Sequence, residues 1–585
     1  MSATISIDKK NIKQFFEESR QKPFLIPEYQ RPYEWGDDQI TTLFDDLKSF
    51  AESDVDKTNE YFLGAIVHFN NAKHQREIID GHQRIVSLML LLRVIYTHLQ
   101  SMQETRSILK QKADIEPLLW NIDPSSKEPD YSKVLIQSEV INEQTEKTFV
   151  EILRTGKVDN NATDLYSSNY ALLQQLHSLY CGSNAEATFR FIDSILEHVI
   201  VLPIQADSLN MALTIFSTLN NRGLPLTDSD IFKAGIYKTL NDNQRKSFIE
   251  QWQALEERKD YVDVEIAADL FYPYMLYTRA MNKIINSTLS GVRKYFLNEH
   301  PHYLSDSDLL TKLDRILNLW AVTNQHVEIE NESWSGKIKI RQALDILVSY
   351  PNDFWRHAVV TYYLANCKNN DFNKSFLLFL RKLLSQIVPR YFVRKGGADI
   401  IKTSIMHLNV GSIESPYPEF KFNPMGETQW LANAVKFHPK KPAPTKVLLK
   451  ILAYSEDKQE TLLPDKWQIE HIFPRKWVDN YDLNGFTPEK INELVEHLGN
   501  LTVIEKANNI KAGNEYFGKK KKIYKKSSIA MTKELARLAD WRPENIITRT
   551  DEMNRRLKDI LEMWSSEYDE AKHAYDQQHR AEAPI

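Results

Sequence analysis

Residues 466–477 read "KWQIEHIFPRKW": a short apolar run ending in an adjacent acid and histidine, Glu470 and His471, and stopped by Pro474. The run is too short for a buried helix and suits a strand. Further on, "HLGNLTVIEKANNIKAGN" (497–514) predicts a second strand over "LTVIE", with Asn500 just before it and Asn508 and Asn509 just after. "KAGNEYFGKKKKIYKKSS" (511–528) continues as a helix. The order is therefore strand, acid–His, loop, Asn, strand, Asn, helix. Two strands and a helix in that order can close on one small site.

Outward from this core, "VLLKILAYS" (447–455) predicts another strand, and the proline-rich stretches "SPYPEFKFNPMGE" (415–427) and "HPKKPAPTK" (438–446) predict a domain boundary. Residues 426–585 then form a C-terminal domain. Residues 241–425 carry amphipathic patterns rich in Leu, Tyr, Phe and Trp and predict a helical domain. Residues 1–240 mix strands and helices. "KPFLIPEYQRPYEW" (22–35) is extended and "GDDQITTLFDDLKSF" (36–50) helical. "YFLGAIVHF" (61–69) and "QREIID" (75–80) are strands joined by the turn "NNAK", and a helix follows over 84–99. Residues 100–200 are mostly helical, "HVIVLPIQ" (198–205) is an interior strand, and 211–237 is helix, turn, helix, with Gly223 ending the first helix and Thr227 or Asp228 capping the second. The fold class is multidomain α+β.

With 585 residues the chain is too long for one core. A net charge of -5 excludes a protein that coats nucleic acid through overall charge, though not a local basic surface. Cys181 and Cys367 are too few and too far apart for a disulfide framework or a zinc site. The start has no apolar signal core, and the longest apolar run, "IVSLMLLL" (85–92), is too short to span a bilayer. A cytoplasmic protein with no membrane partner is expected.

Hydrolysis of a phosphodiester needs a base for water and a cation for the phosphate. Histidine suits the first task, and carboxylate and amide oxygens suit a hard cation. The C-terminal order, Glu470-His471-Ile472-Phe473-Pro474, Gly499-Asn500-Leu501-Thr502, then Asn509, resembles the HNH (ββα-metal) endonucleases. The resemblance implies His471 as general base, Glu470 and Asn509 as ligands of Mg2+ (or Mn2+) with Asn508 as the alternative, and Asn500 as the residue orienting His471. Phe517, Lys520, Tyr524, Trp541 and Arg549 also fall where that subgroup has them. In the lysine run "KKKKIYKK" (519–526), Lys520, Lys521 and Lys525 are candidates for DNA phosphates; the alternative is a solvated helix face.

"REIIDGHQRIVSLMLLL" (76–92) predicts strand, tight turn, helix, an arrangement whose helix N-terminus attracts anions. With "IPEYQRPYEW" (26–35), "FLGAIV" (62–67) and "IFSTLNNRGLPLTDSDIFK" (215–233) in this order, the region resembles the N-terminal domain of GmrSD-type, modification-dependent (type IV) restriction enzymes, whose fold is similar to ParB and sulfiredoxin. The resemblance implies an NTPase domain, its nucleoside triphosphate held by Asp80, Gly81, His82, Gln83 and Arg84, with Gln30, Arg31, Asn220 and Arg222. His82 departs from the usual Gln. Tyr29, Tyr33 and Trp35 suit core packing better than an aromatic wall for a base, and "VPRYFVRKGGAD" (388–399) is a further candidate DNA contact.

Together these imply an NTP-dependent, modification-dependent DNA endonuclease of anti-phage defence, with modified phage DNA as partner and a homodimer or companion defence protein possible. The rivals are a nucleotide-switched DNA-binding module that does not cleave, and an RNA-cleaving effector.

Overall fold

The computed structural model describes residues 6–581 apart from 20–23, 54–58, 72–74, 139–142, 160–162, 183, 209–210, 213–214, 216–226, 287, 395–398, 423–428, 436–441, 478–482 and 484. The chain divides into two compact units, Met1–Trp252 and Gln253–Ile585.

The first unit is built on a mixed sheet. Its strands are β1 (Ser6–Ile7), β2 (Lys10–Asn11), β3 (Phe24–Ile26), β4 (Tyr61–Asn70), β5 (Arg76–Asp80), β8 (Ile136–Ser138) and β9 (Val199–Ala206), in the order β1-β9-β4-β5-β3-β8 with β2 also on β9. β4 runs parallel to β9 and antiparallel to β5, and β3 runs parallel to both β5 and β8. The helix His82–Ser101 leaves β5 through Gly81 and is buried along most of its length. Its apolar residues are the centre of the core, joined by Phe44 and Leu47 from Asp37–Glu52 and by Tyr170 and Leu173 from Leu165–Cys181. A helix apolar all round is an interior helix, which is why 85–92 is so hydrophobic.

The expected mostly helical reading of 100–200 misses three short strands: β8, and the pair β6 (Trp120–Ile122) and β7 (Pro129–Val134). The polar loop "NIDPSSKEPD" is their hairpin turn, with Asp123 Oδ1 accepting from the Ser125 and Ser126 N–H groups at 2.8 Å. Thr227 caps Asp228–Thr239 as expected. The helix expected before it lies mostly outside the described residues, as do Asn220, Arg222 and Gly223.

Between Gln253 and Tyr454 the regular elements of the second unit, among the described residues, are all helices. The strand expected at 447–455 is a helix, Ala443–Tyr454, and this corrects the sequence reading. An apolar run of that length fits a buried strand or a buried helix equally by pattern. Here every residue from Val447 to Tyr454 is buried, and even Lys450 points inward, its Nζ donating to Asp345 Oδ1 and to the Asp345 carbonyl at 2.8 Å. Then come β10 (Trp467–His471) and β11 (Leu501–Glu505), paired antiparallel with Glu470 opposite Thr502 and His471 opposite Leu501. The helices Lys506–Ala512 and Phe517–Tyr524 follow, replacing the single helix expected. A long helix, Pro543–Ala581, closes the unit against Phe372–Arg394, where Lys382 Nζ meets Asp569 Oδ2 at 2.7 Å.

Candidate active site

β10 ends at His471. Alternation along a strand sends Gln468 and Glu470 to one face and His471 to the other, so acid and histidine can serve one water only where the strand ends. Glu470 is 4% exposed. Its Oε1 accepts from Tyr524 Oη and from Lys520 Nζ, both at 2.8 Å, and the same ammonium donates to the His471 carbonyl at 2.6 Å. Burial pushes the Lys520 ammonium below its ordinary pKa despite Glu470, and burial together with that carboxylate pushes the Tyr524 phenol well up. Glu470 Oε2 accepts no hydrogen bond from a described residue.

His471 Nε2 lies 3.2 Å from Glu496 Oε2. The other oxygen of Glu496 takes Arg475 Nε at 2.7 Å. Burial raises the Glu496 carboxyl, but His471 and Arg475 outweigh it and hold the group below the usual range. The sequence reading missed Glu496; its only signal was an acid just ahead of "HLGNLT".

Asn500 does not sit on the histidine ring, a correction to the role expected for it. Its side chain is fully buried and satisfied elsewhere: Oδ1 accepts from the Phe473 N–H at 2.7 Å and Trp541 Nε1 at 3.1 Å, while Nδ2 donates to the carbonyls of Phe473 and Val495 at 2.9 Å. It fixes the chain leaving His471 rather than the imidazole. The two candidate amides diverge. Asn509 Nδ2 donates to Gln468 Oε1 at 2.7 Å, toward the face of β10 that carries Glu470. Asn508 Nδ2 donates to Glu505 Oε2 at 2.9 Å, within a knot in which Glu505 also holds Ser527 and Ser528.

In the first unit, Gly81 has φ +96°, a left-handed conformation that suits glycine, at the start of His82–Ser101. Arg84 Nη2 donates to Asp80 Oδ2 and to the Ala65 carbonyl, each at 2.9 Å, and its guanidinium lies where a Cβ on Gly64 would stand. Burial raises the Asp80 carboxyl, opposed by Arg84 and Arg31. Gln83 is a clamp on the segment before it: Oε1 accepts from the N–H groups of Glu34 and Trp35 at 2.8 and 3.2 Å, and Nε2 donates to the Pro32 carbonyl at 2.8 Å. His82 is buried, with Nε2 2.8 Å from Gln83 Nε2, and burial then Arg31 push it down to about 3, so it is neutral. Gln30 Nε2 donates to the carbonyls of Ile78 and Ile79 at 3.2 and 3.1 Å. Arg31 Nη1 lies 3.5 Å from Glu34 Oε2. Tyr29 and Tyr33 are buried, in keeping with core packing.

Two family models match the chain. One, described as the GmrSD restriction endonuclease, N-terminal domain, covers residues 12–237; the other, described as the GmrSD restriction endonucleases, C-terminal domain, covers residues 431–556. The chain belongs to the GmrSD restriction endonuclease family. No curated protein matches it significantly. Membership makes this GmrSD chain a restriction nuclease with DNA as its substrate. Among the described residues no helix is long and apolar enough to cross a membrane.

In this GmrSD chain the tail residues hold the two strands and the helices together. Phe517 packs on Trp541 and Tyr524, with ring centroids 6.1 and 6.4 Å apart. Arg549 Nη1 donates to the carbonyls of Gly499 and Leu501 at 2.6 and 2.8 Å. Of the lysines expected at DNA, Lys520 is 1% exposed and turned inward to Glu470, so a phosphate contact does not fit it. Lys521 and Lys525 face outward, with Lys521 Nζ donating to the Leu538 carbonyl at 2.6 Å.

Proposed function

We propose that the chain is an NTP-dependent, modification-dependent DNA endonuclease of anti-phage defence, hydrolysing phosphodiesters at the end of β10. The observation that carries this reading is the pairing of His471 with Glu496 beside the half-engaged carboxylate of Glu470. His471 takes the proton of the attacking water, and Glu496, itself held by Arg475, fixes the ring. Asn500 keeps the chain after His471 in place through Phe473.

On the Glu470 face, the groups that would hold a hard cation are the oxygen of Glu470 that Lys520 and Tyr524 leave open and the amide oxygen of Asn509. Mg2+ or Mn2+ there would supply charge stabilisation for the scissile phosphate and its leaving oxygen. Lys520 lowers the negative charge at this carboxylate and so tempers its affinity for a cation.

For the first unit, support comes from Gly81 at the N-terminus of a long helix with Arg31 and Arg84 both acting on Asp80 and His82. That is a setting for a triphosphate. Gln83 and Gln30 serve there as scaffold. Triphosphate and modified DNA together would bias the arrangement competent to cut, protecting host DNA. The test is cleavage of modified and unmodified phage DNA, with Mg2+, with and without each nucleoside triphosphate. Cutting is expected only when modification and nucleotide are both present. Equal cutting of unmodified DNA without nucleotide overturns the gating.

A further inference from the structure

Beside the helix Phe517–Tyr524 lies a cavity of about 790 Å³, within the size range of ligand sites. Six cations line it: Lys458, Lys521, Lys522, Lys525, Lys533 and Arg537. They come from three segments of the chain, in a protein whose net charge is -5. The one carboxylate in the lining, Glu534, is already shared, with Arg537 Nη1 on one oxygen and Lys458 Nζ 3.6 Å from the other. Lys522, Lys525 and Lys533 are exposed and make no side-chain hydrogen bond or ion pair among the described residues. Like charges gathered around one cavity repel one another, and an anion relieves that cost.

We propose that this cleft is an exosite for the phosphate backbone of the DNA substrate, distinct from the hydrolytic centre; the inference rests on the nuclease reading above. The geometry favours a backbone over a single phosphate group. The free groups are lysines, which are point charges on flexible stems, rather than the forked donors that grip one phosphate. The cleft offers no buried amide or carboxylate to read a base edge, so its grip is independent of sequence. Its position also fits. The helix Phe517–Tyr524 turns Lys520 inward to Glu470 and presents Lys521 and Lys522 to the cleft, so one helix links the exosite to the acid beside His471.

The experiment measures binding of a fluorescent DNA duplex to the full chain across a salt series, for wild type, His471→Ala and the triple variant Lys522→Ala/Lys525→Ala/Lys533→Ala. Each phosphate contact contributes roughly 0.9 to the slope of log affinity against log salt. The triple variant is expected to lose about 2 to 3 from that slope and to bind more weakly, while His471→Ala keeps the wild-type slope. A triple variant with unchanged slope and affinity overturns the exosite, even if the protein cuts DNA normally. So does a loss confined to binding of a free nucleoside triphosphate, or a cleft that holds duplex RNA in preference to DNA. A protein that shows the slope change but never cuts DNA keeps the exosite and refutes the nuclease reading.

Discussion

At the scale of single residues, the proposed site has two carboxylates in different settings. Glu496 faces the His471 ring, and Glu470 faces Lys520 and Tyr524. Glu496→Ala is expected to slow cleavage about 10-fold or more, as loss of a partner that orients a functional side chain commonly does, with Glu496→Gln recovering part of the rate. The stability contribution of Glu496 has a defined pH sign. Its folded carboxyl sits below the ordinary value of 4.5, so its stabilisation is complete above that value and is lost as pH falls through the lower, folded one. Thermal melts of wild type and Glu496→Gln should therefore differ at neutral pH and converge in that acid window. Lys520→Met strands the buried Glu470 carboxylate and should cost about 3 kcal/mol in urea unfolding, with part of it recovered in Lys520→Met/Glu470→Leu. The inward turn of Lys520 was missed, with Lys520 offered to DNA phosphate, although Phe517, Lys520 and Tyr524 share one helix face by spacing. Charge alone hid it within the run "KKKK". The task of Asn500 was not legible, because three of its four bonds go to Phe473 and Trp541, at sequence separations no local pattern encodes.

At the scale of elements, the strand pair and the long C-terminal helix explain why "GNLT" is spelled as it is. A Cβ on Gly499 would stand 2.3 Å from the Ile546 carbonyl oxygen and 2.5 Å from the Thr550 N–H nitrogen, so only glycine lets β11 begin this close to the helix. Asn500 clamps the chain after β10, Leu501 enters the core, and Thr502 Oγ1 meets Thr532 Oγ1 at 2.7 Å. Gly499→Ala is expected to destabilise the unit by about 2 kcal/mol through overpacking, read as a lower urea midpoint with an unchanged slope. The order of these elements was visible in the sequence because each is short and bounded by Pro, Gly or Asn. The helix Ala443–Tyr454 was not, because burial on every side removes the periodicity that separates helix from strand. β6 and β8 were missed for a related reason: three-residue strands carry too few alternations to show a period, and only pairing reveals them.

At the scale of the whole molecule, the two matched regions fall in different compact units: 12–237 in the first, and 431–556 in the second together with the helical stretch from Gln253. The residues proposed for hydrolysis and the basic cleft are both contained in Gln253–Ile585. Residues 253–585 expressed alone should therefore melt cooperatively and cut DNA without any nucleotide response, while the full chain responds to nucleotide. A nucleotide response in the shorter chain would place the triphosphate outside the first unit.

In the proposed mechanism His471 activates water for phosphodiester hydrolysis. Wild type and His471→Ala are compared on modified DNA, with Mg2+ and nucleotide, following strand breaks alongside DNA binding and the melting curve. Cleavage should fall by about 100-fold or more, as loss of a general base commonly does, with binding and melting unchanged. Wild-type cleavage by His471→Ala would exclude His471 as the base.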